Sequence, residues 1–138
     1  MMRNRGAAVI IQNGQVVLIK RVREGITYYV FPGGGIEEGE TPEQAAGREA
    51  FEELGVTVEV TELLTTMDHD GKQFFFTAGL LTGAIGKGTG EEFTDLERGR
   101  GTYEPMWVPI DQLSSLDLRP KRIGTLLLEK ERNDDRPS

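Results

Sequence analysis

Residues 34 to 56 read GGIEEGETPEQAAGREAFEELGV, and this stretch decides how the rest of the chain is arranged. Thr41, Pro42 and Gln44 make a helix-start signal: a capping hydroxyl, a proline in the first helical position, and a glutamine three residues after the cap to close a capping box. Gly55 supplies the stop, because helices commonly end on a residue in the left-handed conformation. The spacing predicts a helix over 42–54. The residues before it, GGGIEEGE (33–40), are too rich in glycine and too short for an element of their own and read as a loop.

The last two turns of that helix are unusually acidic. Glu49, Glu52 and Glu53 lie near the negative pole of the helix dipole, where each acid is disfavoured by a few tenths to about 1 kcal/mol. At about 100° per residue, with Arg48 at zero, Glu52 falls near 40°, Glu49 near 100° and Glu53 near 140°. Ala46, Ala50, Leu54 and Phe51 take the arc from roughly 160° to 300°, which is expected to pack. A solvated face with an Arg48–Glu52 pair accounts for part of this pattern and is worth only about 0.2 to 0.5 kcal/mol. It leaves Glu49 and Glu53 as like charges one turn apart. A divalent cation removes that repulsion, and an all-oxygen donor set favours Mg²⁺ or Mn²⁺ over zinc. A glycine loop beside such a cluster lets backbone groups approach a metal or anion closely, although GGG by itself is a weak signal.

Working outward, AAVIIQ and QVVLIKRV meet at Asn13-Gly14, a favoured tight-turn pair, and predict a hairpin. ITYYVFP, VTVEVTELLTTMD, KQFFFTAGLLTGAI and YEPMWVPI read as further strands. Asp111 is a candidate cap for a short helical turn, and RPKRIGTLLLEKER for a closing helix before a polar tail from about residue 131. Strands on both sides of a helix point to an α/β (α+β) fold, a mixed sheet sandwiched by helices, in one domain over 1–138. The polar, glycine-rich stretch between Leu81 and Glu104 is long for a connection, a length that goes with function or disorder.

Composition narrows the function classes. The 138 residues include no cysteine, which removes disulfides and thiolate metal sites. The start of the chain does not fit a signal peptide, and no apolar run approaches the ~20 residues of a membrane span, so a cytoplasmic protein is expected. A formal net charge of −7 argues against a nucleic-acid polymer as the main partner, because such binding needs a cationic surface. A small anionic nucleotide accompanied by a cation remains compatible. Monomer and homodimer are both left open.

Gly34 to Val56 closely resembles the signature box of the Nudix hydrolases: a glycine, five residues, a glutamate, seven residues, then Arg-Glu-aliphatic-any-Glu-Glu-any-Gly-aliphatic. Here Gly34 is followed by GIEEG, Glu40, TPEQAAG and REAFEELGV, so the fixed positions match, with a small Ala50 where a bulkier aliphatic is common. The resemblance implies metal-dependent hydrolysis of a pyrophosphate bond in a nucleoside diphosphate linked to another group. It implies Glu53 as principal metal ligand, with Glu52 and the Gly34 carbonyl completing part of the shell. Glu49 would bind a further metal or activate water, Arg48 would hold the glutamates, and Glu40 would support the water-activating group.

Family members often add an acid from a later loop, and among Glu91, Glu92, Asp95 and Glu97 the preferred candidates are Glu97 and Glu92. Lys20, Arg21 and Arg23, at the end of the second strand, are candidates for phosphate contacts or plain exposed strand-end charge. His69 reads as a turn residue between Asp68 and Asp70 rather than a base. Tyr29, Phe31, Phe75 and Trp107 are core by strand alternation, with base stacking as the alternative. The family's subgroup markers, a proline for ADP-ribose and a tyrosine for dinucleoside polyphosphates, are missing between Val56 and Gly101. Nucleoside triphosphates, including oxidised or non-standard ones, are therefore the leading substrate class. An ADP-ribose or nucleotide-sugar pyrophosphatase, a non-catalytic nucleotide-binding regulator and a plain interaction module are the alternatives.

Overall fold

A computed structural model describes residues 3–85, 94–95 and 101–134. The hairpin forms where the Asn13-Gly14 pair asks for it: β1 (Arg5–Gln12) and β2 (Gln15–Arg23) run antiparallel, with Gln12 opposite Gln15, and both turn residues take positive φ. β3 (Ile26–Val30) returns along β2. The glycine run does not stay a loop. Gly33–Gly35 is a short strand, β4, antiparallel to β1 with Gly34 opposite Gly6. A Cβ on Gly33 would lie 2.8 Å from Ala7 and from the Gly6 carbonyl, so the glycines that suggested a loop are what permit this tight pairing.

Helix α1 (Pro42–Leu54) follows, with the full capping box at Thr41 and Gln44 and with Gly55 at φ 70°. β5 (Thr57–Asp68) and β6 (Lys72–Thr82) form a long antiparallel pair, and β6 then lies parallel to β1. β7 (Thr94–Asp95) and β8 (Gly101–Pro109) bring the chain back along β2. A 3-10 turn (Ile110–Ser115), β9 (Leu118–Arg119) beside β3, and α2 (Lys121–Asp134) close the described chain. Asp111 sits inside the first turn of the 3-10 segment, which begins after Pro109 without a side-chain cap, so it is not the cap expected of it.

Alternation along the central strands splits the core in two. Val9, Val16 and Leu18 point to one face, where Ile123 and Leu127 of α2 cover them together with Phe31 and Phe75. Ala8, Ile10 and Val17 point to the other, where Ala46 and Ala50 of α1 pack with Phe76 and Val56. The result is the mixed sheet with helices on both faces that the element order suggests. Small residues on both elements let α1 come close to β1: a Cβ on Gly6 of β1 would lie 2.6 Å from the Pro42 carbonyl and 3.2 Å from the Ala45 Cβ. Phe51 does not belong to the packed arc; it is 61% exposed, and Ala46, Ala50 and the partly buried Leu54 make the contact. Among the described residues no helix is long and apolar enough to cross a membrane.

Candidate functional site

Close packing of α1 on β1 and β4 sets the acidic face of the helix against the glycine strand. Arg48 organises that face. Its Nε donates to Glu40 Oε2 at 2.7 Å and its Nη2 to Glu40 Oε1 at 3.0 Å and to the Gly35 carbonyl at 2.9 Å. Its Nη1 donates to Glu49 at 3.0 Å and to both oxygens of Glu52, and Glu37 stands 3.4 Å away. Glu40 in turn accepts from the Glu37 amide. The hydrogen bonds from Arg48 hold the Glu40 carboxyl below the usual carboxylate range, and Glu40 is the main cause that raises Arg48 above its ordinary value. The i, i+4 pair with Glu52 is one arm of a wider network.

Glu53 is held differently. Its Oε1 accepts from the Gly33 amide at 3.0 Å and its Oε2 from the Tyr103 hydroxyl at 2.5 Å. Burial pushes its carboxyl up to about 7, with Glu49 beside it adding to the rise while the bonds from Tyr103 and Gly33 oppose it. A Cβ on Gly34 would run into the Glu49 carboxylate, so glycine at 34 leaves the space in which Glu49 sits. Among the described residues no three acidic or histidine side chains converge to enclose a metal by themselves, and Glu52 is turned to Arg48. What the site offers is the Glu49–Glu53 pair against the glycine strand. Two adjacent carboxyls, where burial and mutual repulsion raise the proton affinity of Glu53, are an oxygen donor set that fits a hard divalent ion, which would take the proton's place.

Beside this cluster opens a cleft of about 490 Å³. Phe31, Phe75, Met67 and Val30 give it apolar walls, with Phe31 and Phe75 edge to face at 6.2 Å, and Arg5, Asp68, Gln73 and Arg119 supply polar groups. Gly33 lines the cleft and also donates to Glu53, so cleft and acids meet at one residue.

A NUDIX domain family model matches residues 2–127. This chain belongs to the Nudix family. An RNA pyrophosphohydrolase of Psychromonas ingrahamii is 47% identical over 66 residues, covering 48% of this chain and 35% of that protein, and one of Vibrio atlanticus is 44% identical over the same length. The match thus spans little more than a third of these relatives. Among solved structures, an ADP-ribose pyrophosphatase from Streptococcus suis superposes with a TM-score of 0.67 at 20% identity, covering 96% of this chain and 93% of that one, which shows the shared fold. Nudix hydrolases generally use divalent metal ions, a habit with which the paired carboxyls agree.

Within the Nudix box the structure gathers Gly34, Glu40, Arg48, Glu49, Glu52 and Glu53 around one helix face. Outside it the picture is mixed. Arg21 stacks over the Tyr103 ring at 5.6 Å and donates from Nε to the Thr102 carbonyl, which keeps it beside the site. Alternation along β2 turns Lys20 to the opposite face, and Arg23 is exposed in a separate recess with Tyr28 and Arg119. Glu97, with Glu91 and Glu92, lies outside the described residues. His69 is exposed beside Asp70, at the rim of the cleft. Tyr29 and Trp107 pack against the core, whereas Phe31 and Phe75 both pack and line the cleft. Tyr103, Arg5 and Arg119 were not legible as site residues, because strand pairing alone brings them there.

Proposed function

We propose that this Nudix domain is a metal-dependent pyrophosphohydrolase acting on a 5′-triphosphate, with a free nucleoside triphosphate, oxidised or non-standard ones included, as the preferred form. The observation that carries the reading is the joining of the Arg48-ordered acids to an apolar, arginine-rimmed cleft through Gly33. A planar base fits walls of Phe31 and Phe75, and Arg5 and Arg119 offer cations for phosphate oxygens. Glu53, Glu49 and the Gly34 carbonyl, with Glu52 if it leaves Arg48, would hold Mg²⁺ or Mn²⁺. The ion supplies neutralisation of phosphate charge and a more acidic bound water.

The chain's own work is positioning and proton transfer, which is most of what phosphoryl transfer asks of a protein. Water attacks a phosphorus, the anhydride P–O bond breaks, and Glu49 takes the proton of the attacking water. Arg48 keeps Glu49 oriented, and Glu40 keeps Arg48 from turning away.

The named activity of the Psychromonas and Vibrio relatives supports a second form of the same substrate, the 5′-triphosphate end of an RNA. A net charge of −7 favours the free nucleotide, since a polymer backbone adds repulsion. The deciding experiment is a product-resolved assay with Mg²⁺ on nucleoside triphosphates, a short 5′-triphosphorylated RNA, ADP-ribose and nucleotide sugars. Faster turnover of free triphosphates is expected, and activity should vanish in chelator. Preference for ADP-ribose or a nucleotide sugar, or full activity after complete metal removal, would overturn the reading, and nucleotide binding without turnover would indicate a regulator.

A further inference from the structure

Glu53 and its neighbours are gripped by different kinds of donor. Glu40, Glu49 and Glu52 all touch the Arg48 cation, whereas the donors on Glu53 are a backbone amide and a phenol, with the Glu49 carboxyl beside it. One donor sits on each oxygen. A carboxylate has about four lone-pair sites, so both oxygens keep capacity for a further partner. A neutral donor also fixes the direction of a carboxylate without cancelling its charge, which a guanidinium would do. This is the arrangement expected of a group that orients a metal-binding carboxylate from behind.

Tyr103 is itself well fixed. β8 pairs with β2 in continuous register from Gln15–Pro109 to Val22–Thr102, with Tyr103 opposite Arg21. Arg21 is tied to the Thr102 carbonyl and lies over the Tyr103 ring. The hydroxyl is therefore aimed by a sheet, and it meets a helix residue fifty positions earlier in the chain.

From this geometry we infer that Tyr103 is a positioning residue for the metal: its hydroxyl holds the Glu53 carboxylate in the orientation that binds a divalent cation, and Arg21 sets the angle of the ring. The inference rests on the reading of Glu53 as a metal ligand given above.

The test is Mn²⁺ affinity of the substrate-free protein, measured by electron paramagnetic resonance of the free ion, for the parent, Glu53→Gln, Tyr103→Phe and Tyr29→Phe. Tyr29 is partly buried and packs against the core rather than the acids, so its variant controls for loss of a phenol elsewhere. Thermal unfolding in chelator reports that each variant is folded. Tyr103→Phe is expected to lose about 10-fold or more in Mn²⁺ affinity, in the range typical for partners of metal ligands, and Tyr29→Phe to lose none. In turnover, kcat should recover in part at high Mn²⁺ for Tyr103→Phe and not for Glu53→Gln. If Glu53→Gln weakens Mn²⁺ binding and Tyr103→Phe does not, the role of Tyr103 is wrong and the metal site stands. If Glu53→Gln leaves affinity unchanged, the metal assignment falls and the inference falls with it.

Discussion

The guanidinium of Arg48 closes on both oxygens of Glu40 as a two-pronged fork, across eight residues of chain and from the helix back to the loop that precedes it. The same side chain reaches the Gly35 carbonyl, so one planar group ties helix, loop and glycine strand together. A lysine carries the charge but not the plane. Arg48→Lys should leave a folded protein with turnover reduced about 10²-fold, close to the loss in Arg48→Ala. Steady-state kinetics and circular dichroism on both variants check this, and a lysine variant with parental kcat would reduce Arg48 to a surface charge.

Two glycines on either side of the site should respond oppositely to alanine. In Gly34→Ala the new methyl meets the Glu49 carboxylate, a flexible group that can swing aside, so the fold should persist while kcat drops about 10-fold or more. Gly47 is in the helix, and a methyl there meets nothing within 4 Å. Gly47→Ala should raise stability by roughly 0.5 to 1 kcal/mol and leave kcat unchanged. Paired denaturation and kinetics decide; loss of activity in the Gly47 variant alone would contradict the geometry.

Glu53 makes the metal-free protein sensitive to pH. Its proton is held to about 7 in the fold against an ordinary 4.5, chiefly by burial. A raised carboxyl contributes stability that is complete below about 4.5 and is lost as pH rises to about 7, because the unfolded chain ionises first. In chelator, the melting temperature of the parent relative to Glu53→Gln should therefore fall by a few degrees between pH 5 and pH 8. With Mg²⁺ present, Glu53→Gln should lose about 10² in turnover. Glu43→Gln, in the first turn of the helix where a carboxylate suits the dipole, should keep turnover and lose a few tenths of a kcal/mol. A pH-independent difference curve, or a catalytic defect at Glu43 instead, would refute the assignment.

Arg5 is exposed, lines the cleft and contributes none of the hydrogen bonds that order the acids. If it meets substrate phosphate as proposed, Arg5→Ala should raise KM several-fold with kcat near the parent value. An equal fall in kcat and kcat/KM would place it with the reacting groups instead.

How legible all this was depends on how local each cause is. The capping box of Thr41 and Gln44, the stop at Gly55 and the turn at Asn13-Gly14 are written in neighbouring residues, and they stand where expected. Glu49, Glu52 and Glu53 share one helix, so their common face follows from its pitch. Tyr103 was missed because its partner is fifty residues away and the pairing of β8 with β2 decides the meeting. Gly33–Gly35 looked like a loop because propensity disfavours glycine in strands, yet Ala7 and Gly6 leave room for nothing larger at Gly33. Phe51 looked like core because its angle on the helix is apolar, but alanines bring the helix so close that a ring at its edge stays outside.

Gly33 belongs at once to the β4 ladder, to the wall of the cleft and to the donor set of Glu53. Its amide is consequently a natural spectroscopic probe. In a nitrogen-15 correlation spectrum, a hydrogen bond to a carboxylate should draw that proton downfield. Metal binding to Glu53 would shift the resonance from one side, and a nucleoside lacking phosphates would shift it from the other. One peak would thus give two titration curves, and the curvature of either in the presence of the second ligand would measure how strongly the two halves of the site feel each other.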